Sequence, residues 1–217
     1  MREGSYEDRR EAGRELAEAL DEYAGRDDVV VLGLVRGGMP VAAEIARHLE
    51  APLDVMIVRK LGAPRQPELA VGAITSGGSR VLNDEIVERL GLSDERIDEI
   101  AERERGVLEE RERTYRPGEA VSLEGRTVLL VDDGLATGAT MRAAIASARD
   151  RGAADVVVAV PVAARQSCRA VEKEADAFVC PLRSSNFFGV SQFYRSFPQV
   201  QDEEVGRLLE RFRDEEG

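Results

Sequence analysis

Residues 128–140 constrain this chain more than any other stretch, and they read Val-Leu-Leu-Val-Asp-Asp-Gly-Leu-Ala-Thr-Gly-Ala-Thr. Four β-prone apolar residues lead into Asp132 and Asp133, a short loop of small and hydroxyl residues follows, and an alanine-rich segment begins at Met141. This order predicts a buried parallel strand, a tight turn and a helix N-terminus. Carboxylates at a strand end suit sugar hydroxyls, whereas loop N–H groups and hydroxyls suit a phosphate. The stretch therefore predicts a sugar-phosphate site.

The same stretch resembles the phosphoribosyl-pyrophosphate (PRPP) signature of the type I phosphoribosyltransferases. The resemblance implies that Asp132 and Asp133 hold the ribose 2′- and 3′-hydroxyls and that the loop holds the 5′-phosphate. The loop residues implied to bind substrate are Gly134, Ala136, Thr137, Gly138, Ala139 and Thr140. The two glycines would let the backbone approach the ligand closely, because they have no Cβ.

Two simpler interpretations of the acid pair remain open. A Val-Asp-Asp strand end also occurs in receiver domains and other doubly wound folds, which explains the acids but not the Ala-Thr-Gly-Ala-Thr loop. Either aspartate could also act only as a cap to the turn, since aspartate caps turns readily.

Composition places the chain among globular proteins. The 217 residues are 43% hydrophobic and carry a net charge of −12, which argues against general affinity for nucleic acid or anionic membrane. No apolar run reaches the length of a membrane span, and the first residues are too polar for a signal peptide, so we expect a cytoplasmic protein. Of 30 basic residues only Lys60 and Lys173 are lysine, which makes Lys60 conspicuous.

The pattern along the chain predicts an α/β fold: an open parallel sheet flanked by helices, with a small hood and a helical insert. We expect one domain over residues 1–217, with a core at about 28–60 and 127–180, an insert at about 61–126 and a hood at about 181–200. The expected core strands are 28–35, 53–58, 128–131, 155–161 and 176–180. Ser5 with Asp8 predicts the cap of a first helix that ends near Gly25. Short strands at 71–75 and 80–82 and helices at 83–90 and 93–113 are expected in the insert, and a closing helix at 202–213.

A second motif, Arg36-Gly37-Gly38, follows the first predicted strand, where open α/β sheets commonly bind ligands. In the family, the loop at this place binds pyrophosphate, and these three residues match it. The alternative is an ordinary glycine turn.

Arg59 and Lys60 follow the next predicted strand, so we expect both side chains over the same sheet edge. Two cations there would neutralise a pyrophosphate leaving group, although cations at strand ends are commonplace. A lysine acts as a compact point charge, which favours a catalytic role for Lys60.

The reaction implied by the resemblance is attack of a nitrogen acceptor on PRPP with loss of pyrophosphate. Mg²⁺ bound mainly through PRPP or pyrophosphate would assist, since Mg²⁺ typically takes few protein ligands; no protein metal site is expected. Ala136 stands where hypoxanthine–guanine enzymes of the family carry an acid, so a 6-oxopurine acceptor is disfavoured. Glu68 is the one carboxylate considered as a replacement base, and His48 is expected on the surface.

The aromatic tail predicts the hood over the acceptor. Phe187 and Phe188 either stack a flat base or belong to the hood's own small core, while Phe193 and Phe197 fit better as that core. The stretch 62–68 has the glycine, proline and polar content of a mobile loop, so the lid is expected there, with Arg65 closing onto PRPP.

The charged helix 94–113 is expected to pack on a second subunit or across the insert.

The predicted function is phosphoribosyl transfer from PRPP to a small nitrogenous acceptor, by a homo-oligomer, most simply a dimer. The insert resembles that of an uncharacterised bacterial and archaeal branch of the family. The alternative is a PRPP-sensing regulator that acts on a protein partner. A PRPP-forming pyrophosphokinase would need an ATP site, for which the sequence has no motif.

Overall fold

A central parallel sheet organises the described part of the chain, which in this computed structural model comprises residues 5–64, 66–115 and 120–216. The helices are α1 (Arg9–Glu18), α2 (Gly38–Leu49), α3 (Asp84–Leu90), α4 (Asp94–Tyr115), α5 (Ala139–Asp150), α6 (Arg165–Glu172) and α7 (Asp202–Glu216). The strands are β1 (Val29–Leu34), β2 (Leu53–Met56), β3 (Val58–Ala63), β4 (Gln66–Thr75), β5 (Arg80–Leu82), β6 (Thr127–Val131), β7 (Asp155–Ala159), β8 (Val162–Ala164), β9 (Ala177–Val179) and β10 (Leu182–Ser184). None of the described helices has the length and apolarity that a bilayer span requires.

The central sheet has the order β2-β1-β6-β7-β9, and each pair of neighbours is parallel. Helices cover both faces, so the predicted fold class is confirmed. Because β1 and β6 are adjacent and parallel, the loops that follow Leu34 and Val131 leave the same edge of the sheet side by side. That adjacency places the two predicted motifs together.

Alternation along the strands produces two cores. Val29 and Val31 face a cluster that includes residues of α1, α2, α4 and α7, whereas Val30 and Leu32 face one built with α5 and α6. All four valine and leucine side chains are fully buried. Successive side chains in a strand point to opposite faces, so a strand covered on both sides must be apolar throughout.

The N-terminal helix differs from its prediction at both ends. Asp8, not Ser5, is the N-cap: its carboxylate accepts hydrogen bonds from the N–H groups of Arg10 and Glu11. The helix ends at Glu18 rather than near Gly25, and a 3₁₀ turn at Asp21–Tyr23 follows it.

The insert begins with a second, antiparallel sheet of order β3-β4-β5. The expected strand at 53–58 therefore ends at Met56, and Arg59 and Lys60 lie in β3, not at an edge of the central sheet. The stretch 62–68, predicted as a mobile loop, contains the end of β3 at Ala63 and the start of β4 at Gln66, and the lid there stays a prediction. Arg65 and the side chain of Glu68 lie outside the described residues.

Helix α4 packs across the insert, against β3 and β4, and also against α7. Ile97, Ile100, Ala101 and Leu108 are buried as its apolar stripe predicted, but Val107 is 38% exposed. The remaining face is charged and open to solvent, which accounts for the charge run in the sequence.

The hood contains more than the predicted tail. The expected strand 155–161 ends at Ala159, and a separate strand, β8, begins directly after Pro161, which has no N–H to donate. Strand β8 pairs with β10, and a 3₁₀ turn at Val190–Phe193 follows. The N-terminal segment packs on the hood through two backbone hydrogen bonds. The Tyr6 N–H donates to the Phe193 carbonyl at 2.8 Å, and the Tyr6 carbonyl accepts from the Arg195 N–H at 2.9 Å.

Candidate functional site

The acid pair lies at the carboxyl end of β6, as predicted. The Asp133 N–H donates to Asp132 Oδ1 at 2.8 Å, so the two residues form one local unit. Burial raises the pKa of Asp132 well above its usual range, and the neighbouring Asp133 charge raises it further. Burial also raises the pKa of Asp133, but the Arg9 guanidinium opposes that rise. Two half-buried acids beside each other at a strand end are costly to ionise, a pattern found often at functional sites.

Arg9 is the site residue that sequence reasoning missed. Its Nε donates to Asp133 Oδ2 at 2.7 Å, although 124 positions separate them in the chain. A signal was present: Arg9 lies on the same face of α1 as the buried residues Ala12, Gly13 and Leu16. An arginine at an apolar helical position needs a buried partner, but the sequence does not say which one.

The loop after β1 packs directly on the acids. A Cβ added to Gly37 would lie 2.2 Å from Asp133 Oδ2, and one added to Gly38 would lie 2.5 Å from the Val131 carbonyl oxygen. These glycines are therefore required by the approach of the two loops, whatever the ligand. The Val35–Arg36 peptide bond is cis.

Arg36 forms an ion pair with the closing helix. Its Nη1 lies 3.9 Å from Asp202 Oδ2 at the first position of α7. The Tyr115 hydroxyl, at the end of α4, donates to the other oxygen of that carboxylate. The end of the insert and the closing helix thus meet at the predicted pyrophosphate loop, a link that the sequence did not indicate.

The predicted phosphate loop is open to solvent. Ala136, Thr137, Ala139 and Thr140 are exposed, and α5 begins directly after Gly138. The first N–H groups of a helix have no partner within the helix and carry a partial positive charge, so they suit a phosphate. Gly138 has φ +81°, a conformation that disfavours other residues.

Neighbouring elements fix the shape of this loop. Ser167 on α6 donates its hydroxyl to the Ala136 carbonyl at 2.5 Å. Gly134 lies under the hood, where an added Cβ would meet a Val190 methyl at 2.6 Å. The absence of a Cβ at Gly134 therefore makes room for Val190, and close approach of Gly134 to a ligand stays a prediction.

Lys60 and Arg59 are separated by strand geometry. They are consecutive in β3, so their side chains lie on opposite faces. Arg59 turns to α4, where its Nε donates to Glu104 Oε2 at 3.0 Å. Lys60 faces α5 and lines a cavity of about 540 Å³ together with Ala139 and Thr140. The structure therefore brings Lys60, and not Arg59, to the phosphate loop.

A second cavity, of about 450 Å³, joins the acids to the predicted pyrophosphate loop and the end of the hood. Its lining residues are Arg9, Arg36, Gly37, Asp132, Asp133, Phe197, Pro198, Gln199 and Val200. In the described part of the chain, no cluster of three or more His, Cys, Asp or Glu side chains is arranged to hold a metal ion.

The hood aromatics divide into core and surface. Phe187 packs on Phe193 with ring centroids 5.2 Å apart, whereas Phe188 is 89% exposed. Tyr194 is buried, and its hydroxyl donates to the Asp133 carbonyl at 2.6 Å. Stacking of a base by Phe187 and Phe188 stays a prediction, and Phe188 has the exposed ring it needs. His48 lies on the surface beside Asp21, as expected.

Residues 4–197 match the model of the phosphoribosyl transferase domain. The chain belongs to this family. It is 46% identical over 207 residues to two Mycobacterium tuberculosis proteins, "Putative phosphoribosyl transferase MT0597" (strain CDC 1551 / Oshkosh) and "Putative phosphoribosyl transferase Rv0571c" (strain ATCC 25618 / H37Rv). The match covers 95% of this chain and 46% of each relative, so the chain spans about half the length of the curated relatives it matches.

Solved structures agree with this assignment. The protein TT1426 from Thermus thermophilus is similar with a TM-score of 0.83 and 42% identity, covering 96% of this chain and 99% of that one. A hypoxanthine phosphoribosyltransferase from Staphylococcus aureus is similar in fold alone, with a TM-score of 0.50 and 15% identity, over 91% of this chain and 89% of that one. The resemblance to the type I phosphoribosyltransferases, including their uncharacterised branch, is confirmed.

Proposed function

We propose that this chain transfers a 5-phosphoribosyl group from PRPP to a nitrogen acceptor, such as a nucleobase, and releases pyrophosphate. One observation carries the proposal: the acid pair lies within contact of the Arg36–Gly38 loop and directly precedes the open phosphate loop. A sugar, its 5′-phosphate and its pyrophosphate need three such subsites a few ångströms apart.

Each subsite has residues of suitable chemistry. The N-terminus of α5 with Thr137 and Thr140 would hold the 5′-phosphate. Asp132 and Asp133 would accept hydrogen bonds from the ribose hydroxyls. The 36–38 loop and Lys60 would hold pyrophosphate through charge-assisted contacts. The exposed Phe188 would cover the acceptor.

The reaction requires the site to stabilise a cationic sugar and an anionic leaving group at the same time. The negative charge of the acid pair would stabilise the positive charge that develops on the sugar. The side chains of Arg36 and Lys60 would stabilise the negative charge of the pyrophosphate leaving group. Asp132 and Asp133 would face the ribose hydroxyls and would not serve as metal ligands, because two carboxylates cannot fill the octahedral shell of Mg²⁺. Bound with PRPP, Mg²⁺ would neutralise pyrophosphate oxygens.

The test is incubation with PRPP, Mg²⁺ and a panel of purine and pyrimidine bases, following pyrophosphate release. We expect release with at least one base and none without a base. PRPP binding with no release for any base would contradict transfer to a nucleobase and favour a PRPP-sensing role. Asp133→Asn in the same assay controls for contaminating activity, because it should abolish the release.

A further inference from the structure

Arg9 is a buried cation. It is the first residue of α1, and its side chain is only 10% exposed. Removing a guanidinium from water is costly unless close partners compensate for the lost hydration. The chain provides those partners from two distant segments.

Three contacts hold the guanidinium. Its Nε donates to Asp133 Oδ2 at 2.7 Å, and its Nη1 donates to the Pro198 carbonyl, also at 2.7 Å. Its central carbon lies 3.6 Å from the centroid of the Phe197 ring, a stacking contact in which arginine is favoured over lysine. Arg9 therefore joins the acid pair to the segment 197–200, and both line the same cavity.

The charged and titratable groups around Asp133 are few. Asp132 is its neighbour on the strand end, the Tyr194 hydroxyl donates to its backbone carbonyl, and Arg36 lines the cavity beside it. In the described part of the chain, the ion pair recorded for Asp133 is the one with Arg9. Arg9 thus occupies one carboxylate oxygen of Asp133, Oδ2.

We propose that Arg9 is a positioning residue of the ribose subsite: it fixes Asp133 so that Oδ1 is presented to a sugar hydroxyl, and it ties that geometry to residues 197–200. The proposal rests on the proposed function, since the sugar is that of PRPP. Arg9 acts through Asp133 and does not itself need to touch the sugar.

The pH at which the Asp133 carboxyl ionises provides a readout that a purely structural role of Arg9 would not change. Arg9 lowers the pKa of Asp133 against the rise caused by burial. Without Arg9 that pKa rises, so Asp133 takes up its proton at a higher pH. A protonated carboxyl accepts hydrogen bonds poorly, so PRPP binding should then begin to fail at a higher pH as the solution is acidified.

The test is calorimetric titration of PRPP with Mg²⁺ from pH 5 to 9 for wild type, Arg9→Gln and Arg9→Lys. Arg10→Gln is the control, because Arg10 is the exposed neighbour on the same helix. We expect Arg9→Gln to weaken binding at least tenfold at pH 7 and to move the acid limit of binding upward. Arg9→Lys should recover part of the affinity, since it keeps the charge but loses the planar fork.

Equal affinity and an equal acid limit for wild type and Arg9→Gln would overturn the proposal. If Arg9→Gln does not fold, Arg9→Lys decides alone, and affinity equal to wild type would overturn it. If the wild-type protein does not bind PRPP, that result would contradict the proposed function instead. Carboxyl ¹³C NMR of the ligand-free protein then decides the role of Arg9: the Asp133 titration must move to higher pH in Arg9→Gln, and an unmoved titration would overturn it.

Discussion

At the scale of single residues, the two adjacent cations of β3 have different surroundings. Arg59 is paired with Glu104 on α4, whereas Lys60 lines the cavity beside the phosphate loop. They are adjacent in the sequence, but consecutive side chains of β3 point to opposite faces of its sheet. A pyrophosphate contact of Lys60 therefore stays a prediction, because the cavity that Lys60 lines contains Ala139 and Thr140 and not the Arg36–Gly38 loop.

Replacing Lys60 should affect pyrophosphate more than ribose 5-phosphate. A charge-assisted hydrogen bond contributes about 1.5–3 kcal/mol, so Lys60→Ala should weaken pyrophosphate binding by roughly tenfold or more. Calorimetry with each ligand measures the difference. Arg59→Ala is the comparison, and it should reduce pyrophosphate affinity less. Equal losses for both ligands in Lys60→Ala would make Lys60 only a general electrostatic contributor.

The raised pKa of Asp132 predicts a conflict between stability and binding. A carboxyl with a higher pKa in the folded than in the unfolded state holds its proton more tightly when folded, so its ionisation destabilises the fold as pH rises through that interval. Asp132→Asn should therefore raise the melting temperature at pH 7–8 while it weakens PRPP binding.

That gain should become small near pH 4 and vanish below about pH 3, where the carboxyl is protonated in both states. Asn keeps an oxygen that can accept from the Asp133 N–H, so the local turn is preserved. Calorimetric melting at pH 4 and pH 8 checks the sign. A variant less stable than wild type at pH 8 would show that ionised Asp132 is compensated better than its burial indicates.

At the scale of elements, the hairpin β3–β4 is the candidate lid. It lies over α5, and the cavity of about 540 Å³ between them opens beside Thr140. Water would intercept a cationic sugar, so closure over bound PRPP is expected. PRPP with Mg²⁺ should protect residues 60–75 from proteolysis, with pyrophosphate alone as the comparison. Unchanged cleavage in that interval would place the lid elsewhere.

The elements predicted well are those encoded by contiguous residues. The stretch 128–140 carries its strand, acids, loop and helix in order, and Arg36-Gly37-Gly38 follows its own strand, so both were recognised. Contacts between distant segments were not: Arg9 with Asp133, Asp202 with Arg36, and Tyr6 with the hood. A side chain's partner 100 or more positions away depends on the tertiary fold, which periodicity does not specify.

At the scale of the whole molecule, the N-terminal helix, the insert and the closing helix all reach the same sheet edge. Arg9 comes from α1, Tyr115 from the end of α4 and Asp202 from the start of α7. The site therefore combines the motifs of the βα core with residues from segments outside that core. The dimer stays a prediction, which sedimentation at physiological salt would check.

PRPP binding by calorimetry, in Mg²⁺, tests the central claim most directly: that Asp132, Asp133 and the 136–140 loop form a PRPP site. Wild type is compared with the double variant Asp133→Asn, Thr137→Val, whose folding is checked by circular dichroism. Thr137 is exposed, and Asn keeps an acceptor for the Arg9 guanidinium, so the fold should survive. The account predicts that wild type binds PRPP and that the folded double variant binds it at least tenfold more weakly. Unchanged affinity in the folded variant would contradict the account.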